Sequence, residues 1–337
     1  MKILVIGAGF SGATIARELA EHGHTVTVIE KRAHIGGNAF DYLNEYGIRI
    51  HKYGPHLFHT SNKEVFEWTS KFTNWIPYKH KVKALLADGT LVTLPPNKET
   101  AEKVGAENII DIFYRPYSKK MWGVDMEELD PDIFNRVKIR EDMNEFYFPD
   151  DLFQFLPADG YTQLIENIFK HPLINISLNT PYAPGIENQY DHTFNSMPID
   201  EFFQYRFGQL PYRSIKFHTK TIAVPSVFPV SVINFTHKEP FTRATEWKNF
   251  PGHGTHSGFT SITVEEPCDF IDNEFERYYP VKDIQGHNKA LYKKYQNIIP
   301  SKMTFIGRCG LYAYLDMHQA ISSALKITKD FIDNAKS

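Results

Sequence analysis

Residues 1–37 read MKILVIGAGFSGATIARELAEHGHTVTVIEKRAHIGG. Ile3-Leu4-Val5-Ile6 is a short run with no polar member, the pattern of a parallel strand covered on both faces. It feeds straight into Gly7-Ala8-Gly9-Phe10-Ser11-Gly12. Ile15 and Leu19, with the small Ala13, Ala16 and Ala20, then make a helix face that packs closely on a sheet, and Gly23 punctuates its end. Thr25 to Ile29 is a second strand, and it ends at Glu30. Each part has a mechanical role in holding a dinucleotide. Gly7 permits the tight turn, Gly9 lets the backbone approach a pyrophosphate, Gly12 allows close helix–strand packing, and Glu30 accepts from a ribose hydroxyl. The acid selects an unphosphorylated adenosine ribose, so NAD or FAD rather than NADP.

The bulk composition frames this start. A chain of 337 residues can bury a sizeable core and is expected to divide into two or three domains. Lys and Arg number 37 against 40 Asp and Glu, so no polyanion-binding field exists and nucleic acid is not an expected partner. Two cysteines, Cys268 and Cys309, are too few for a disulfide framework and lack metal-ligand spacing. No apolar run approaches the roughly 20 residues that cross a bilayer, and the N-terminus lacks the pattern of a cleavable leader. A cytoplasmic location without membrane insertion is expected.

Further along, residues 48–60 read IRIHKYGPHLFHT. His51, His56 and His59 raise a metal reading, but the loop holds no Cys, Asp or Glu to complete a site, and no metal is expected. Gly54-Pro55 makes a turn that can present the histidines. The stretch YKHKVKALLADGTLVTLPPN is a hairpin turning at Asp88-Gly89. A mainly helical region follows and contains Tyr117 and Trp122, then Arg136 and Arg140 one helical turn apart. Flat aromatic faces suit a nucleotide base, and guanidinium forks suit phosphate oxygens. Near the C-terminus, Met303 to Ile306 is a strand, a loop follows, and a helix starting near Asp316 can face a ring system with its N–H groups.

These motifs carry a resemblance. The acid, the basic residue Lys31 and the pair Gly36-Gly37 resemble the glutathione-reductase-like FAD proteins. Gly-Pro-His-Leu-Phe-His-Thr behind such a start resembles the UDP-galactopyranose mutases. The likeness runs through Tyr117/Trp122, Arg140, Arg213, Arg243, Tyr279 and the string YLDM in that family's order. It implies an α/β fold with a Rossmann-like FAD-binding domain (1–60, 156–203, 298–337), a small helical nucleotide-binding domain with a mobile loop (61–75, 96–145), and an antiparallel sheet domain (76–95, 146–155, 204–297).

The resemblance also implies an isomerase acting on a UDP-sugar substrate. Reduced flavin N5 would attack the anomeric carbon with no net redox change, an external reductant such as NAD(P)H being needed, and the furanose would supply cell-surface polysaccharide. Cofactor contacts would fall on Gly7, Gly9, Phe10, Ser11, Gly12, Glu30, Lys31, Gly37, Asn38, Arg308, Asp316 and Met317. Substrate contacts would fall on Tyr117, Trp122, Arg136, Arg140, Phe153, Arg213, Arg243, Tyr279 and Tyr314, with Arg140, Arg243, His56 and His59 at the reaction centre. Three departures stand out: a shortened stretch before Tyr117, Phe153 where a tyrosine is usual, and His318 where an acid is usual. Family dimers use the helical domain, so a homodimer stays an open expectation. Two alternatives stay open as well: a mutase for another nucleotide sugar (UDP-N-acetylgalactosamine or a deoxyhexose), and an amine-oxidase-like flavin oxidoreductase.

Overall fold

Strand Lys2–Ile6 pairs in parallel on both sides, with Thr25–Ile29 and with His192–Asn195. Ile174–Ser177 and Met303–Phe305 extend the sheet outward to five strands, all parallel. The computed structural model describes residues 1–129, 139–254 and 258–336, so Arg136 lies outside the described residues. Helices Phe10–Glu21 and Met317–Lys336 pack together beside this sheet. Ile3, Val5, Val26, Val28, Leu19, Phe194 and Ile321 close the space between them with essentially no exposure. Central strands of this kind carry apolar side chains on both faces, which explains the unbroken run at Ile3 to Ile6.

A second sheet has seven strands in the order Tyr279–Pro280, Tyr212–Ile222, Thr260–Asp269, Arg243–Glu246, Val232–Phe235, Val82–Leu85, Leu91–Leu94. It is antiparallel except where Val232–Phe235 runs parallel to Val82–Leu85. The sheet is therefore mixed at one joint, because the Asp88-Gly89 hairpin is added from a part of the chain remote from the other strands. At its turn Gly89 has φ +84°, and Asp88 Oδ1 accepts from Thr90 N–H at 2.8 Å.

Helices Lys98–Val104 and Arg115–Trp122 form the helical part. Phe153–Pro157, expected to begin within the large sheet domain, instead pairs with Phe58–Thr60 and Trp75–Pro77 in a separate three-stranded sheet. Phe146 alone bridges to Lys81 at the edge of the large one.

Asp41 joins the short hairpin Asp41–Leu43/Arg49–His51 to helix Gly160–Phe169. Its buried carboxylate accepts from Tyr161 N–H at 2.8 Å and Thr162 N–H at 3.0 Å, and Arg49 lies 3.5 Å away. These bonds satisfy donors that a helix start leaves open. Asp41→Ala strands two amides and a mostly buried guanidinium together, so a loss of about 3–5 kcal/mol is expected in denaturant unfolding. A change near zero would show that water serves those groups equally well.

Candidate functional site

One cleft of about 1000 Å³ runs from the carboxyl ends of the parallel strands to the face of the seven-stranded sheet. At its inner end the loop is built tightly enough to exclude a side chain at Gly7 and Gly12. Gly7 has φ +101°, and a methyl group there would sit 2.0 Å from Ser196 Oγ. One on Gly12 would sit 2.0 Å from the Gly7 carbonyl oxygen. One on Gly37 would sit 3.1 Å from Gly9 Cα, so the second glycine pair passes directly over the first loop. Glu30 is buried, and its two carboxylate oxygens accept from Ala8 N–H and Arg32 N–H, each at 2.9 Å. The result is a backbone-lined trough at a helix start, closed by an acid, which fits a pyrophosphate and its ribose.

The histidine loop forms the middle of the cleft, and its hydrogen bonds admit one distribution of protons. His56 Nδ1 lies 2.8 Å from Gly54 O, and His253 Nδ1 lies 3.1 Å from Pro251 O, so both nitrogens donate. His51 Nδ1 accepts from His56 N–H at 3.0 Å, which leaves His51 Nε2–H to donate to His253 Nε2 at 2.9 Å. All three rings are neutral in this arrangement. Burial pushes His56 and His253 down to about 4 and lowers His51 strongly. His80, also on the cleft wall, is pushed down to about 3 by burial, with Arg243 and His59 adding to the shift.

The pH dependence of stability follows from these groups. The unfolded chain binds these protons near 6.5 whereas the folded chain refuses them until about 4 or below. Across that window the unfolded state holds more protons, so the stability is complete above about 6.5 and is lost as pH falls toward about 4. The thermal midpoint should drop between about pH 7 and pH 5, and His80→Gln should flatten the slope. An unchanged slope in that variant would refute the assignment.

At the outer end the aromatic residues collect. Tyr279 and Tyr314 stack with centroids 5.1 Å apart and planes within 10°, and Trp122 meets Tyr279 edge-on at 6.2 Å. The Arg308 guanidinium lies 5.2 Å and 5.0 Å from the two tyrosine centroids and donates to Tyr278 O and Leu315 O. Arg308 thus orders the tyrosine stack by cation–π contact as well as facing the cleft. Arg243 Nε lies 2.8 Å from Glu265 Oε1. Burial acts against the Arg243 charge, but Glu265 first and then Tyr117 and Tyr279 raise its pKa overall. Tyr117 shares this wall, and burial pushes its phenol up.

Every cofactor-facing residue expected from the sequence lines the cleft: Gly7, Gly9, Phe10, Ser11, Gly12, Glu30, Lys31, Gly37, Asn38, Arg308, Asp316 and Met317. So do His56, His59, Tyr117, Trp122, Arg243, Tyr279 and Tyr314.

Three expected substrate residues lie elsewhere. Arg140 donates to the carbonyls of Asn144, Phe146 and Tyr147, and although Tyr147 lines the cleft, Arg140 itself does not. Arg213 caps helix Arg115–Trp122, Nε donating to Met121 O at 2.7 Å and Nη2 to Lys120 O at 3.3 Å. Phe153 stacks on Phe66 at 4.2 Å, because strand alternation turns it to the same side as Phe155.

Reading the sequence missed His80, Phe148 and Glu265. Glu265 left a trace: Ser261, Thr263 and Glu265 alternate on the buried face of their strand, and polar side chains on a buried face mark a site. Among the described residues no group of three or more His, Cys, Asp or Glu is placed to hold a metal ion, and no helix is long and apolar enough to cross a membrane.

Comparison with known proteins follows this geometry. Residues 112–314 match the family model described as UDP-galactopyranose mutase, and residues 5–72 match an NAD(P)-binding Rossmann-like domain. The UDP-galactopyranose mutase of Mycoplasma pneumoniae is 33% identical over 96% of this chain and 94% of its own length. The chain belongs to the UDP-galactopyranose mutase family. It is accordingly an isomerase of the mutase type. A dTDP-fucopyranose mutase of Escherichia coli matches equally well, at 33% identity over 99% of each chain. The crystal structure of a reduced UDP-galactopyranose mutase superposes with a TM-score of 0.77 at 18% identity, covering all of this chain and 94% of that one, and shows that the mutase fold is shared.

Proposed function

We propose that this mutase interconverts UDP-galactopyranose and UDP-galactofuranose with FAD in the glycine-lined trough, supplying furanose for cell-surface polysaccharide. The observation that supports it best is a single cleft joining that trough to a partly buried arginine and a stack of aromatic rings. When bound and reduced, by NAD(P)H or another external donor, FAD supplies a nucleophile for the anomeric carbon through N5.

The residues of the chain do the rest. Gly7, Gly9, Phe10, Ser11 and Gly12 offer backbone to the pyrophosphate, while Glu30 takes the adenosine ribose. Lys31, Gly37, Asn38, Arg308, Asp316 and Met317 line the remainder of the cofactor path. Trp122 and Tyr117 hold the uracil face. Arg243, Tyr279 and Tyr314 hold the diphosphate close after it leaves, so that recapture outpaces escape. A guanidinium held by Glu265 is charged at any working pH and needs no reorganisation when negative charge develops beside it.

The deciding experiment reduces the purified protein with dithionite, adds UDP-galactofuranose and follows UDP-galactopyranose by chromatography, with an unreduced control. Conversion confined to the reduced sample is the expected result. Turnover of dTDP-fucopyranose but not of the UDP-sugar would select the second reading, with which the match to the Escherichia coli enzyme is consistent. Substrate oxidation with consumption of oxygen would replace both with an amine-oxidase-like activity.

A further inference from the structure

We propose that His59 and Asp151 form the proton-handling pair of the mutase reaction, His59 as a catalytic residue and Asp151 as the residue that positions it. The proposal rests on the nucleotide-sugar reading above. His59 lies on the cleft wall, and its Nδ1 is 2.6 Å from Asp151 Oδ2. Phe148 stacks on its ring at 3.6 Å with planes 9° apart, and His318 meets it edge-on at 5.4 Å. Ser61 Oγ, 3.4 Å from Asp151 Oδ1, steadies the carboxylate. The ring is thus fixed in plane and in rotation. Donation from Nδ1 to the carboxylate makes Nε2 the basic nitrogen.

The other two histidines on the wall are built differently. His56 turns Nδ1 to a backbone carbonyl, and His80 lies 3.1 Å from Tyr78 Oη through its Nδ1. Burial holds both neutral well below working pH. Among the described residues of the cleft wall, His59 is the histidine bonded to a carboxylate. Asp151 thus gives His59 a directly bonded carboxylate, whereas Asp316 acts on His56 against Arg308 and Arg243.

The reaction needs such a group. Going from pyranose to furanose, the bond from the anomeric carbon to O5 breaks and a bond to O4 forms. O5 gains a proton, O4 loses one, and no electrons are exchanged overall. Opening precedes closure, so the His59 imidazolium can give its Nε2 proton to O5 as that bond breaks and take one back from O4 as the ring recloses, with Asp151 as its countercharge. Among the described residues, titratable groups that face His59 include Asp151 from the loop before Phe153–Pro157, His318 from the C-terminal helix, and His80 from the segment before Val82–Leu85.

The test uses Asp151→Asn, which keeps an acceptor for Nδ1–H and removes the charge. In the reduced holoenzyme kcat should fall roughly 100-fold while KM changes little, because the ring loses its countercharge and not its place in the cleft. Asp151→Glu should restore most of the turnover. His59→Gln should lose as much turnover as the double variant His59→Gln/Asp151→Asn, since the two act as a unit. Flavin absorbance and the thermal midpoint monitor folding, and if the Asn variant does not fold, the Glu and His59→Gln variants decide. Wild-type kcat in Asp151→Asn, or a loss of turnover that Asp151→Glu does not reverse, overturns the proposal. A wild-type enzyme that converts neither UDP-galactofuranose nor dTDP-fucopyranose refutes the nucleotide-sugar reading itself, and this inference with it.

Discussion

Gly12→Ala is expected to purify with little or no bound flavin. The added methyl group would sit 2.0 Å from the Gly7 carbonyl oxygen, 3.2 Å from Gly7 C and 3.2 Å from Val5 Cγ1. Two of those three atoms are backbone, and Val5 is fully buried, so no side chain can swing away to make room. Helix Phe10–Glu21 must instead lift from strand Lys2–Ile6, which displaces the trough that a pyrophosphate would occupy. Overpacking of this kind costs about 1–3 kcal/mol, and if the cost falls on the bound pose the dinucleotide affinity drops by up to roughly 100-fold. Flavin absorbance relative to protein absorbance reads the outcome directly. Full occupancy would mean that the trough is not the cofactor site.

Arg243→Ala is expected to damage activity and stability together, and the two effects can be separated. Removing a preorganised cation from the proposed diphosphate site should lower turnover by about 10²–10³. The same change leaves Glu265, whose side chain is 2% exposed, without its counter-ion. An unpaired buried carboxylate costs about 3–5 kcal/mol, a large part of a domain's stability. Adding Glu265→Gln should recover most of the stability without recovering turnover, because it removes the stranded charge but returns no cation. Denaturant unfolding and single-turnover kinetics on the two variants provide the check. Recovery of turnover in the double variant would assign Arg243 to structure alone.

Much of the cofactor end was legible in the sequence because its determinants are contiguous. A tight turn, a close backbone approach and a helix start are properties of a few successive residues, and Gly7, Gly9, Gly12 and Glu30 state them directly. The Asp88-Gly89 hairpin was legible for the same reason. The substrate end was less so. Arg140, Arg213 and Arg243 are alike as letters, and a guanidinium satisfies itself equally well with phosphate or with backbone carbonyls. Arg140 finds the carbonyls of Asn144, Phe146 and Tyr147, Arg213 finds a helix end, and Arg243 faces the cleft. Phe153 was placed by the resemblance alone, and period-two alternation in its own stretch reports that neighbours oppose one another without saying which face meets the cleft.

The sequence by itself thus determined the parallel sheet, the glycine trough with its acid, and the order of motifs that marks the family. Those features depend on local backbone geometry and on the burial pattern of single elements. Tertiary structure alone decided which side chains share the cleft and what each one is bonded to. His59 meets a carboxylate 92 positions away, and His51 meets His253 at a separation of 202. The protonation state of each ring follows from that partner and from burial, two quantities that exist only once distant segments of the chain have packed together.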